Sequence, residues 1–219
     1  MKILETEDIK EIISRNTTDD LGPRNEAALL MATLLGLTAS ELSQVTVSDM
    51  LNARGEIRKT LVITPGISFN GNERDVPINH SRLIEALERY IVMLIARQWS
   101  IVKSKRYKRL DPKREFLLND MGKPFAMSLR SKNSSKRQPT GMNTLFRNLI
   151  GRTKYKGKVT YTDFRRSYIV HRARPDEGGL SIRDLMEVSG IRDYHSVKKI
   201  VDMDTRTIRK AVKGIYKRL

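Results

Sequence analysis

The sequence of 219 residues has no cysteine, which excludes disulfides and thiolate metal ligands. Its three histidines, His80, His171 and His195, lie at no metal-binding spacing, so neither a metal site nor a cofactor is expected. Long apolar runs are also missing. None approaches the roughly 20 residues that a bilayer span requires, and the opening MKILETEDIK lacks the apolar centre of a signal peptide. A soluble, cytoplasmic protein with no membrane partner is therefore expected. Acidic residues are scarce beside basic ones: 25 Asp and Glu stand against 42 Lys and Arg, a net charge of +17. An excess of that size calls for a polyanion, and nucleic acid is the expected partner.

What is present suffices for a core. With 39% hydrophobic residues, the chain reads as a single domain over residues 1–219. Periodicity predicts a mixed α+β, mainly α-helical fold. A first helix in TEDIKEIISRN is expected to be capped by Thr6, and RNEAALLMATLL, apolar almost all round, should be the central helix and end at Gly36. SELSQVTVSDML reads as a short helix running into an extended piece. The segment KTLVITPGISFNGNERDVPIN reads as an antiparallel hairpin turning near Asn70 and Gly71. HSRLIEALERYIVMLIARQWSIV reads as one long helix. FLLND with GKPF should form a short strand and turn, while SLRSKNSSKRQPTG is too polar to pack. Helices follow in MNTLFRNLIGRT, TDFRRSYIVHRA, SIRDLMEVSG and YHSVKKIVD, and residues 204–219 should add a tail helix.

The stretch LLGLTASEL breaks an apolar helix at Gly36 and restarts it at once. Locally, Thr38 and Glu41 have the spacing of a capping box, hydroxyl and carboxylate satisfying free amides of the new helix. ATLLGLTASEL also has the outline of a helix-turn-helix, as does DLMEVSGIRDYHSVKKIV, so a helix-turn-helix transcription regulator is one reading.

The order of elements, from the opening helix through GLTASEL, the hairpin ending NERDVPI, a basic middle, TDFRRS and LMEVSGI, resembles the catalytic domain of the tyrosine recombinases, the phage integrase family. The likeness runs from about Leu4 to Val212. It implies that family's fold with a small antiparallel sheet, and a metal-free reaction in which a tyrosine attacks a DNA phosphodiester while arginines, a lysine and histidines stabilise the transition state. By this resemblance Thr38 stands where the family has its first arginine, Phe69 where it has the lysine, and Thr162 where it has a histidine. Arg165 retains the second arginine. Ile191 takes the place of the next histidine, and Ile200, nine residues on, that of the nucleophile. Threonine cannot replace a bidentate guanidinium, nor isoleucine a nucleophile. The expectation is a catalytically degenerate protein, with Ile191 and Ile200 in the core and Phe69 folded onto apolar surface.

The resemblance also implies an absent helical domain ahead of the chain, hence half of a DNA clamp, with a homo-oligomer on DNA or a partner recombinase making up the rest. The residues expected to meet phosphate are Lys103, Lys105, Arg106, Lys108, Arg109, Arg130, Lys132, Lys136, Arg137, Arg165 and Arg166. Arg165 has a structural alternative as an ion-pair partner of Glu41 or Asp163. An active site-specific recombinase with a displaced nucleophile is the other reading. Its tyrosine would be Tyr161, Tyr168, Tyr194 or Tyr216, helped by a mobile Lys59 or Lys158.

Overall fold

The computed structural model describes residues 2–131 and 137–204. The expected mixed, mainly helical architecture is present. Helix α1 (Thr6–Ser14) leads into α2 (Gly22–Leu34), whose residues are buried on almost every side because it lies between α5 (Ser81–Ala96) and α7 (Tyr161–Ala173). The cap of α1 is Glu5, not Thr6: Glu5 is the last extended residue, and its amide donates to the Asp8 carboxylate at 2.9 Å. Beyond α2 come two short helices, α3 (Ala39–Gln44) and α4 (Val47–Met50). The second replaces the expected extended piece, because Thr46 and Asp49 form a capping box of their own.

Strands β1 (Thr60–Ile63) and β2 (Arg74–Pro77) pair antiparallel, Leu61 opposite Val76 and Ile63 opposite Arg74. Alternation along the strands turns these four side chains inward. Arg74 is therefore delivered into the interior by strand register. Helix α5 stops at Ala96, short of the predicted end, as Gln98 and Ser100 take left-handed backbone angles. A single 3₁₀ turn (Arg106–Arg109) follows, and an antiparallel bridge between Leu118 and Pro124 closes the expected FLLND turn.

The Ser, Lys and Arg segment forms more structure than expected. Strand β3 (Ser128–Leu129) pairs with β4 (Arg137–Gln138), so the two ends of the segment are held together by backbone hydrogen bonds that need no apolar side chain. Helices α6 (Thr140–Gly151), α7, α8 (Ile182–Ser189) and α9 (Tyr194–Val201) complete the described chain. The predicted tail helix lies, beyond Asp204, outside the described residues. One large apolar core unites α1 to α7 and both strands of the first hairpin. A smaller cluster of Tyr168, Ile169, Leu185 and Val197 seats α8 and α9 on α7. Among the described residues no helix is long and apolar enough to cross a membrane, and no cluster of His, Asp and Glu could hold a metal ion.

Candidate functional site

Where α3 begins, the chain makes the corner noted in the sequence. Gly36 has φ +59°, and a Cβ there would lie 2.4 Å from the Tyr168 ring, so a left-handed backbone and a close helix contact both demand glycine. Thr38 then caps α3: its Oγ1 accepts from the Glu41 amide at 3.1 Å, and Glu41 accepts from the Thr38 amide at 2.8 Å. The local capping reading is therefore realised.

The Glu41 carboxylate does more than cap. Fully buried, it accepts two hydrogen bonds from the Arg74 guanidinium, both at 2.8 Å, and one from the Phe69 amide at 3.1 Å. Burial pushes its carboxyl up, but the Arg74 hydrogen bonds and charge, with the Thr38 and Phe69 amides, outweigh this and hold it below its ordinary value of 4.5. One side chain thus ties together the start of α3, strand β2 and the hairpin loop. Arg165 completes the group from α7. Its Nη2 donates to the Ser189 carbonyl at 2.7 Å, and its Nη1 lies 3.9 Å from Glu41, too far for a hydrogen bond. That Nη1 is buried with no hydrogen-bond partner. The Asn70 amide donates to the Gly190 carbonyl and Arg192 donates to Asn72, so the hairpin loop is also fastened to the α8–α9 turn.

Over this network lies an open cleft of about 490 Å³. Thr38, Phe69, Thr162, Arg165, Ile191 and Ile200, which come from α3, the hairpin loop, α7 and the α8–α9 unit, all line it. Arg166, Asn143 and Pro139 line it as well. Two expectations are corrected. Phe69 is 75% exposed instead of folded down, because its backbone is held by Glu41 and its neighbours by Gly190, which keeps the ring at the tip. Ile191 and Ile200 are half-buried instead of core: they cover the small α7–α9 cluster with one side and face the cleft with the other.

The remaining predicted residues are more dispersed. Lys103, Lys105, Arg106 and Arg109 are exposed, while Lys108 is half-buried and pairs with Glu88 at 2.7 Å. The turn that carries them leans on the loop after α4, the Tyr107 amide donating to the Ala53 carbonyl, and none of them lines the cleft. Arg130 and Arg137 are exposed on the β3–β4 ribbon, which leads into Pro139 at the cleft. Lys132 and Lys136 lie outside the described residues. Arg166 pairs loosely with Asp163 at 3.4 Å. The structural alternative for Arg165 holds in part, since Glu41 is near it while Asp163 is engaged with Arg166 and with capping α7.

Of the tyrosines considered, Tyr161 lines the cleft but donates its hydroxyl to the Leu37 carbonyl at 3.0 Å, and burial pushes that hydroxyl far up. Burial likewise raises Tyr168, whose ring packs on Gly36. Tyr194 is 49% exposed and does not line the cleft. Tyr216 lies outside the described residues. Lys59 and Lys158 are exposed and do not line the cleft.

No family model matches the chain, and no curated protein matches it. Solved structures do. XerA recombinase superposes over 98% of this chain with a TM-score of 0.69 at 14% identity. The Tn1549 transposon integrase, in complex with transposon right end DNA, does so over 100% with a TM-score of 0.61 at 15% identity. The fold is that of a tyrosine recombinase catalytic domain. XerH site-specific recombinase, bound to palindromic difH substrate in a post-cleavage complex, gives 0.61 over 95% at 13% identity. This chain spans 65% of the XerA chain, 66% of the Tn1549 integrase and 51% of XerH. Within the recombinase fold, Arg74 is the central residue that the sequence reading passed over. Its signal was the alternation of NERDVPI, where Val76 inward places Arg74 inward and a buried arginine demands a carboxylate.

Proposed function

We propose that this chain is a catalytically degenerate tyrosine recombinase-like protein that binds double-stranded DNA, serving as a regulator or accessory factor of a mobile element or plasmid. The observation that carries this reading is the convergence of Thr38, Phe69, Thr162, Ile191 and Ile200 with Arg165 on one cleft. Those are the places that the resemblance assigns to the reacting groups. A phosphoryl transition state there would meet Arg165, with Arg166 beside it, while the hydroxyl of Tyr161 is committed to Leu37. Loss of one such charged donor typically costs about 100- to 1000-fold in rate, and a covalent mechanism without its nucleophile has no first step.

Attraction to DNA needs less. The net charge of +17, exposed Lys103, Lys105, Arg106 and Arg109, and Arg130, Arg137 and Arg166 supply cations for phosphates. The Tn1549 integrase neighbour is in complex with transposon right end DNA, and the XerH neighbour is bound to its difH substrate. A homo-oligomer on DNA, or pairing with an active recombinase, would extend the contact with the duplex, and nucleoid association would follow. The test uses the full chain with a nicked suicide duplex. Salt-dependent binding with no protein–DNA adduct on denaturing gels is the expected result. An adduct that disappears in Y194F or Y216F would overturn degeneracy in favour of an active recombinase with a displaced nucleophile.

A further inference from the structure

The cleft is more than an emptied active site: it combines features that suit a ligand different from a bare phosphate. Phe69 stands 75% exposed at its edge. Exposure of a large aromatic ring on a loop often reflects a loose loop, but here the loop is fastened at three points. The Phe69 amide donates to Glu41 at 3.1 Å, the Asn70 side chain to Gly190, and the Ser68 amide to Thr64 at 3.0 Å. The backbone that carries the ring is thus fixed in place, so the entropy of ordering the loop has already been spent in folding.

Ile191 and Ile200 supply apolar surface in the same cleft. Neutral hydrogen-bonding groups accompany them: the exposed amide of Asn143, which can donate and accept together, and the exposed hydroxyl of Thr162. Arg166, a third exposed at its side chain, adds a cation. The volume of about 490 Å³ falls within the roughly 300–1,000 Å³ of small-ligand pockets and is too small for a duplex. An aromatic platform, apolar surface, amide and hydroxyl edges and a guanidinium together match one nucleotide: a base to stack, an edge to bond, a phosphate to pair.

We propose that this cleft receives a single unpaired nucleotide turned out of a DNA strand, its base stacked on Phe69, its edge at Asn143 and Thr162, and its phosphate at Arg166. This rests on the DNA-binding reading above and extends it, because the protein then prefers DNA that offers an unpaired base over an uninterrupted duplex. A base already unpaired spares the cost of extrusion, and stacking on an aromatic ring tolerates any base identity. The preference is accordingly for the lesion or bulge, not for a sequence around it.

The experiment compares two duplexes of identical sequence, one carrying a single unpaired thymine, by fluorescence anisotropy with the full chain at fixed salt. The bulged duplex should bind about five- to hundredfold more tightly, the range that base–aromatic stacking supplies. F69A, a change at an exposed side chain, should erase that ratio while leaving affinity for the intact duplex and its salt dependence within about twofold, and F69W should retain it. Wild-type protein should also shield the unpaired thymine from permanganate, and F69A should not. Equal affinity for the two duplexes overturns the nucleotide pocket and leaves duplex binding standing. A bulge preference that survives F69A overturns it too. Failure to bind either duplex overturns the DNA-binding reading and this one with it.

Discussion

Replacing Glu41 by glutamine tests what holds the cleft together. The carboxylate accepts four hydrogen bonds, from both Arg74 terminal nitrogens and from the amides of Thr38 and Phe69, and lies beside Arg165. E41Q keeps the shape but removes the charge and points an amide donor at groups that are all donors. It leaves two guanidinium groups, 4% and 12% exposed at their side chains, with no compensating charge between them. Breaking a buried pair by deleting one partner costs about 3–5 kcal/mol, which for a domain of this size is roughly 6–20 °C in Tm. R74M should cost less, about 1–3 kcal/mol, because Arg165, 3.9 Å from the carboxylate, and the two backbone amides remain to stabilise Glu41. The assay is urea unfolding followed by circular dichroism for both variants. The pH dependence supplies a second arm. Glu41 has a folded pKa below its ordinary 4.5, so its contribution is fully present above that pH and drains away as the pH falls through the lower folded value. E41Q should flatten that part of the acid limb, leaving the part due to Asp8, Glu11, Glu177, Asp184 and Asp193, which are lowered as well. A cost for E41Q below about 1 kcal/mol, or one smaller than that of R74M, would refute the assignment of Glu41 as the hub.

Three further outcomes are expected. G36A should lose about 1–3 kcal/mol by the same unfolding assay, since the added methyl meets the Tyr168 ring at 2.4 Å while the backbone stays left-handed; an unchanged midpoint would contradict the tight α2–α7 contact. Y90F should cost about 1–3 kcal/mol, because the fully buried hydroxyl donates to the Phe116 carbonyl and accepts from the Leu118 amide, each at 3.0 Å; hydrogen exchange at Leu118 should quicken with it. R166A should weaken duplex binding alike across sequences and lower the salt slope by about 1, measured by titration at several salt concentrations, and a slope equal to that of the wild type would remove Arg166 from the phosphate contacts.

Much of the helical architecture was legible because burial follows period. Ile12 and Ile13 in α1, Leu83, Leu87, Ile91 and Leu94 in α5, and the nearly uniform apolar α2 all show it. Caps were legible where side chain and spacing coincide, as with Thr38 and Glu41. They were missed where a charged residue did the same work, as Glu5 does for α1. The β3–β4 ribbon escaped notice because two-residue strands are made by backbone bonds and leave no periodic trace. At the cleft, the lining positions could be read one by one from the resemblance, but the exposure of Phe69 could not. It depends on Glu41 and Gly190, which are 28 and 120 residues distant from their partners in the loop.

The location of the ion-paired hub explains how the cleft can keep its form when a wall residue such as Thr162 is exchanged. Glu41, Arg74 and the Ser189 carbonyl do not line the cavity; they sit behind it and fix α3, β2, α7 and the end of α8 relative to one another. Thr38, Thr162, Ile191 and Ile200 project from elements already placed by that network and by the two apolar clusters. Exchanging Thr162 alters what the cleft can bind at small cost to the fold, whereas Thr38, whose hydroxyl caps α3, and Ile191 and Ile200, which cover the small cluster, carry more of it, and Glu41 most of all. The network that builds the cleft and the residues that face its contents overlap at Thr38, whose hydroxyl caps α3, at Phe69, whose amide bonds to Glu41, and at Arg165, which lines the wall and also bonds to the hub. R165M is therefore expected to disturb stability and DNA affinity together.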